Sequence, residues 1–287
     1  MVNLGASTAG QMSLMLGDPS GYLFFVVGAI VYCLALMPTA LRASVAPAPL
    51  VSVGLDLKML WRNSPIAVFA VLMVGVSNSA FGTLAAVYAS RVGLTLTEVT
   101  LFASVPILAG AISQIPVGAL SDKFDRRRVL IAVAALGLCA DIAFMATGAA
   151  SFWLNMAIVF VFGSSVYAMY PVIVAHANDH AKPGASLAVS GGLLLVFGVG
   201  SIVGPTAAGF AMTSVGTVSL FGVTAFAHAL LIAYAVRRIL VRAAPPSEAK
   251  SDFVPAPMPR ASTPQTVVLS ISEEEAKAAA PEARREG

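Results

Sequence analysis

Long apolar runs separated by short polar turns dominate this chain. A helix needs about 20 apolar residues to cross a hydrocarbon core ~30 Å thick. Runs of that length fall at about 21–41, 65–88, 98–120, 129–149, 153–175, 185–210 and 218–236. They predict seven membrane-spanning helices in an all-α, polytopic bundle. Residues 1–16 read as the last turns of a further membrane helix, and from 239 to 287 proline, alanine, serine and charge replace the apolar runs. That last composition is too polar to bury a core and predicts a disordered tail. The pattern divides the chain into 1–42, a linker at 43–64, a six-helix unit at 65–238 and a tail at 239–287. Within the linker, Val51, Leu55, Met59 and Trp61 predict a short helix lying in the membrane interface, with a plain polar linker as the alternative.

Composition strengthens the membrane reading. The chain is 58% hydrophobic and 11% charged, against roughly 45–50% and about 25% for soluble domains. Met1-Val-Asn-Leu lacks the basic n-region of a signal peptide. The basic residues are sorted by side. With connections alternating across the membrane, Arg42, Lys58, Arg62, the run Lys123 to Arg128, Lys182, Arg237, Arg238 and Arg242 share one side, and Arg91 lies on the other. The positive-inside rule makes the basic side, with the tail, cytoplasmic, as in a bacterial inner membrane. No basic stripe with interleaved aromatics points to nucleic acid. Cys33 and Cys139 sit inside apolar runs and are expected to pack as small hydrophobes. Neither metal-ligand spacing nor a nucleophile–base pair is visible, so no metal, cofactor or enzymatic activity is expected.

Two features carry more. Residues 5–42 and 200–237 share a layout of Gly-rich helix end, short turn, apolar span and final arginine. Parallel repeats of six-helix halves are a transporter architecture. The second feature is the charged knot GALSDKFDRRRVL, from Gly118 to Leu130, set between two apolar runs. This knot resembles the loop signature Gly-x-Leu-[Ser/Ala]-Asp-[Arg/Lys]-x-x-Arg-Arg-x-x-Leu of the major facilitator superfamily. Tyr170 to Met212 (YPVIVAHANDHAKPGASLAVSGGLLLVFGVGSIVGPTAAGFAM) resembles the YcaD-like branch of that superfamily. The resemblance implies a truncated major facilitator fold, holding helices six to twelve and the end of helix five. Residues 1–42 then belong to the first half and 65–238 are the second. Carrying the repeat offset backwards implies roughly 130 further residues ahead of Met1. The first copy of the loop signature, expected between helices two and three, has no counterpart in this sequence.

The resemblance also implies a secondary transporter that moves a small solute through the lipid bilayer by alternating access, with coupling to an ion such as a proton. In the gating loop, Asp122 would latch onto the start of helix five. Gly118 would permit close approach, and Lys123, Arg126 and Arg127 would supply the accompanying cations. Helices seven, eight and ten of this family line the cavity, which makes Asn78, Gln114, Tyr167 and Tyr170 candidates for the substrate site. Asp141 and His228 are ionisable groups deep in apolar spans and are candidates for a coupling proton; satisfied polar groups are the alternative. His176, Asn178 and Asp179 could cap their helix or pair with the arginines, and ligand binding there is not expected. A non-transporting sensor or partner subunit derived from a transporter half is the competing reading. No pattern singles out substrate, direction, coupling ion or oligomeric state.

Overall fold

A computed structural model describes residues 22–41, 57–148, 151–181 and 185–241. Among them the chain forms eight helices: α1 (Leu23–Leu41), α2 (Leu57–Asn63), α3 (Pro65–Arg91), α4 (Leu96–Lys123), α5 (Arg126–Thr147), α6 (Phe152–Asn178), α7 (Ser186–Ser214) and α8 (Ser219–Val241). No strand occurs among the described residues. The six helices α3 to α8 are each long and apolar enough to cross a membrane. The 19-residue α1 coincides with the first expected span. The stub at 1–16, most of the linker and nearly all of the tail lie outside the described residues, as does the first part of the 5–42 repeat.

Local chemistry sets the helix ends. Ser64 caps α3, accepting from the Ala67 amide at 3.4 Å, and Pro65 follows at the first helical position, where its missing N–H costs nothing. At the start of α4, Glu98 reaches back to accept from the Thr95 amide at 2.8 Å. Asp125 caps α5 through the Arg127 amide at 3.0 Å. Gly93, with φ of 84°, allows the tight turn between α3 and α4. In the linker, Leu60 of α2 is the residue that buries itself, against Gly192 of α7, while Trp61 stays exposed.

The six long helices form two triplets that exchange partners. In the first triplet, α3 packs mainly on α7 and α8; in the second, α6 packs mainly on α4 and α5. Helices α5 and α8, third in each triplet, pack on each other. This reciprocal pattern is that of inverted three-helix repeats within a six-helix half. Its closest contacts are glycine crossings. A Cβ on Gly75 would strike the Phe197 carbonyl at 2.5 Å, and Cβ atoms on Gly200 and Gly204 would strike carbonyls of Leu72 and Val76. Gly163 of α6 meets Pro106 of α4 in the matching way. Backbone approach of this kind maximises van der Waals contact between helices where lipid offers no hydrophobic incentive to associate.

The two ends of the bundle differ. At the end holding the α3–α4 turn, Phe81, Tyr88, Phe102, Phe144, Phe162 and Phe221 form one buried cluster, with Phe144 and Phe221 stacked at 4.0 Å. Arg91, the basic residue there, donates to the last-turn carbonyl of Met212 at 3.4 Å. The opposite end holds the arginine loop. Both cysteines, expected in protein packing, are exposed on the helix surfaces instead, where acyl chains would cover them.

Candidate functional site

The knot at Gly118–Leu130 folds as the end of α4, a two-residue turn and the start of α5. Its cations are not a solvated cluster. Arg126 is the largest fully buried side chain of the described residues, and such a charge requires a counterion. Its Nε lies 2.9 Å from Asp179 Oδ2, beyond the end of α6, and its Nη2 lies 3.3 Å from Asp122 Oδ1. Asp179 is as buried as Arg126, whereas the Asp122 side chain is 41% exposed. Arg127 folds back on Asp125, with Nη2 2.8 Å from Oδ2 and Nε 3.1 Å from Oδ1. Burial alone would raise the Asp125 carboxyl, but hydrogen bonds from the Arg127 side chain and amide, with its charge, hold it below the usual value. Gly118 is buried and its carbonyl accepts from Ser121 at 2.9 Å. Lys123 and Arg128 point outward.

The four cavity candidates separate into two contacts. Gln114 Nε2 donates to the Tyr167 carbonyl at 3.4 Å, and the Tyr167 side chain packs onto Gly110, joining α4 to α6. Tyr170 lies edge-on to Phe197 of α7 at 5.6 Å. Asn78 is buried on α3, between Ser77 and Ser79, whose hydroxyls reach other helices. Ser79 Oγ donates to Ser201 at 2.7 Å.

Asp141 and His228, read separately from sequence, form one buried unit. His228 Nδ1 is 2.7 Å from Asp141 Oδ2, Thr224 Oγ1 donates to Asp141 Oδ1 at 2.5 Å, and Ser77 Oγ is 3.0 Å from His228 Nε2. All four side chains are fully buried. The unit ties α3, α5 and α8 together. It has the order Ser–His–Asp of a hydrolase triad, yet the hydroxyl is shut away from any substrate. Asp141 and His228 lie 87 residues apart, and Ser77 is separated from Ser165 by one residue more. Ser165 sits beside the same unit, donating to the Val133 carbonyl at 2.7 Å. The group sits where α3, α5, α6 and α8 meet. Sequence inspection missed Ser77 and Thr224 because each is an ordinary small polar residue on its own helix.

Comparison with known proteins bears on this architecture. The family model described as Major Facilitator Superfamily matches residues 67–273. The chain belongs to the major facilitator superfamily. Similar curated proteins are the "Uncharacterized MFS-type transporter YcaD" of Escherichia fergusonii, 27% identical over 148 residues, and that of Escherichia coli K12, 26% identical over 145. Each match covers 50% of this chain and 37% of the relative, so the chain matches well under half the length of these relatives. The YcaD-like likeness read from Tyr170–Met212 agrees with them.

Proposed function

We propose that this chain supplies the C-terminal half of a secondary transporter, which moves a small solute across a bacterial inner membrane by alternating access. The exchanged packing of the two triplets is the observation that carries the reading. It makes α3 to α8 a self-contained block, with apolar side chains such as Leu108, Ile112 and Ile115 on α4 and Val199, Ile202 and Val203 on α7 left exposed for lipid or a second half. In this reading the arginine end and the tail are cytoplasmic. Asp122, whose side chain is 41% exposed while Arg126 and Asp179 are buried, is the acid that reaches a helix end of the other half, an interaction worth about 0.3–1 kcal/mol, up to ~2 when partly buried. Asn78, Gln114, Tyr167 and Tyr170 face the solute, and the Asp141–His228 pair is the proton carrier if coupling is to protons.

The test uses the protein expressed from its full reading frame in everted membrane vesicles, with a fluorescent pH dye and a panel of small solutes. An active solute collapses the imposed pH gradient, and Asp122→Asn abolishes the response while the folded protein persists. A gradient insensitive to the whole panel, with the same result for a radiolabelled subset measured directly, would overturn the proposal.

A further inference from the structure

A recess at the arginine end is lined by Asn63 at the end of α2, Ser64, Pro65 and Ile66 at the start of α3, Arg127 from α5, His176 in the last turn of α6, His180 just beyond it, and Arg238 from the last turn of α8. Two guanidinium groups and two imidazoles converge there, and no carboxylate lines the wall. The first turn of α3 adds the positive end of a 27-residue helix and the Ile66 amide, since Pro65 has no N–H and the Ala67 and Val68 amides are held by Ser64.

The polar groups of this recess are unequally engaged. Asp125 holds Arg127 from the side. Asn63 is spent on the Ala177 carbonyl at 3.0 Å, and His180 Nδ1 on the His176 carbonyl at 2.9 Å. The His176 ring is only 6% exposed; the His180 ring lies 4.7 Å away, the charges of Arg127, Arg126 and Asp125 act on it, and among the described residues no hydrogen bond engages its ring nitrogens. Among the same residues, no carboxylate pairs with Arg238. A buried imidazole without a hydrogen-bond partner, opening onto a recess that gathers cations, is an arrangement that an anion completes.

We propose that this recess binds a phosphate group, supplied either by an anionic lipid headgroup or by free phosphate. The cavity, about 20 Å³, exceeds the ~10–15 Å³ that one water needs, so the anion would seat one or two oxygens inside and leave the rest of the group in the open mouth of the recess. A tetrahedral anion accepts from several directions at once, as the Arg238 fork, the His176 ring and the Ile66 amide require. The recess is distinct from the solute cavity, and its occupant would tie the ends of α3, α5, α6 and α8 together. Nothing in this inference depends on transport.

The test measures thermal unfolding of the full chain in detergent with inorganic phosphate against chloride at equal ionic strength. A second arm compares nanodiscs of phosphatidylglycerol with nanodiscs of phosphatidylcholine. Phosphate, phosphatidylglycerol or both raise the midpoint for the native chain. Arg238→Gln weakens the protecting species roughly tenfold or more, whereas Arg237→Gln, exposed on the same turn, does not. Should Arg238→Gln fail to fold, His180→Gln takes its place with the same expectation. Protection by phosphatidylglycerol alone identifies a headgroup; protection by inorganic phosphate as well identifies a small-anion site. No protection by either, or equal protection of Arg238→Gln and the native chain, overturns the proposal.

Discussion

Asp141 and His228 meet across α5 and α8 with Oδ2 and Nδ1 2.7 Å apart and neither side chain exposed. The contact joins the third helices of the two triplets. A buried pair adds little net stability relative to apolar packing, but removing one partner strands the other.

Asp141→Ala is therefore expected to cost about 3–5 kcal/mol, and Ser77→Ala, which deletes one neutral hydrogen bond at the far side of the imidazole, about 1 kcal/mol. The double variant Asp141→Leu/His228→Leu loses less than Asp141→Ala alone. Thermal unfolding in detergent gives the ranking; equal losses for Asp141→Ala and Ser77→Ala would contradict the pairing.

Glycine positions on α7 provide a second contrast. Gly200 faces the α3 backbone, whereas nothing lies within 4 Å of a Cβ placed on Gly198. Gly200→Ala is expected to cost about 1–3 kcal/mol through forced separation of the helices. Gly198→Ala is expected to be neutral or to stabilise by about 0.5–1 kcal/mol through helix propensity. Melting curves of the two variants, side by side, are the check.

Asp179 and Asp122 both approach Arg126 but differ in burial. Asp179→Asn weakens the counterion of a buried guanidinium and should lower the unfolding midpoint by several degrees. Asp122→Asn removes a half-exposed partner, expected to change stability by about 1 kcal/mol or less while stopping solute flux in the full protein. If Asp122→Asn melted far below Asp179→Asn, the assignment of the two acids would be reversed.

Asp125 links stability to pH. Its carboxyl titrates below the ordinary 3.8 because Arg127 favours the charged form despite partial burial. A depressed folded value contributes stability that is complete above the unfolded value and disappears as pH falls through the folded one. Asparagine can still cap α5, so Asp125→Asn isolates the charge. The gap in midpoint between native and Asp125→Asn chains should be steady near neutrality and close below about pH 4; a gap that widens on acidification would contradict the assignment.

The spans were legible because each needs only a local count of apolar residues, and the helices run a few residues past those counts where caps such as Ser64 and Asp125 permit. The spacing of four between Gly200 and Gly204 is a local signal that marks one side of a helix for packing. Their partner α3 was not legible, because exchange between triplets is a long-range choice with no local signature. The sequence allowed Asp179 either to cap its helix or to pair with the loop arginines; that Arg126 is the arginine it meets, and that both are buried, is a long-range contact of the same kind. Asp141 and His228 were each recognised as ionisable groups deep in a span, but their pairing is a long-range contact between α5 and α8, again with no local signature.

The bundle is closed by different forces at its two ends. Six stacked and edge-on rings seal one rim, and ion pairs around Arg126 and Arg127 stitch the other. Acid neutralises the carboxylates of the stitched rim and leaves the rings untouched, so unfolding is expected to have a direction: in hydrogen exchange at low pH, amides at the start of α5 should exchange before those beside Phe221.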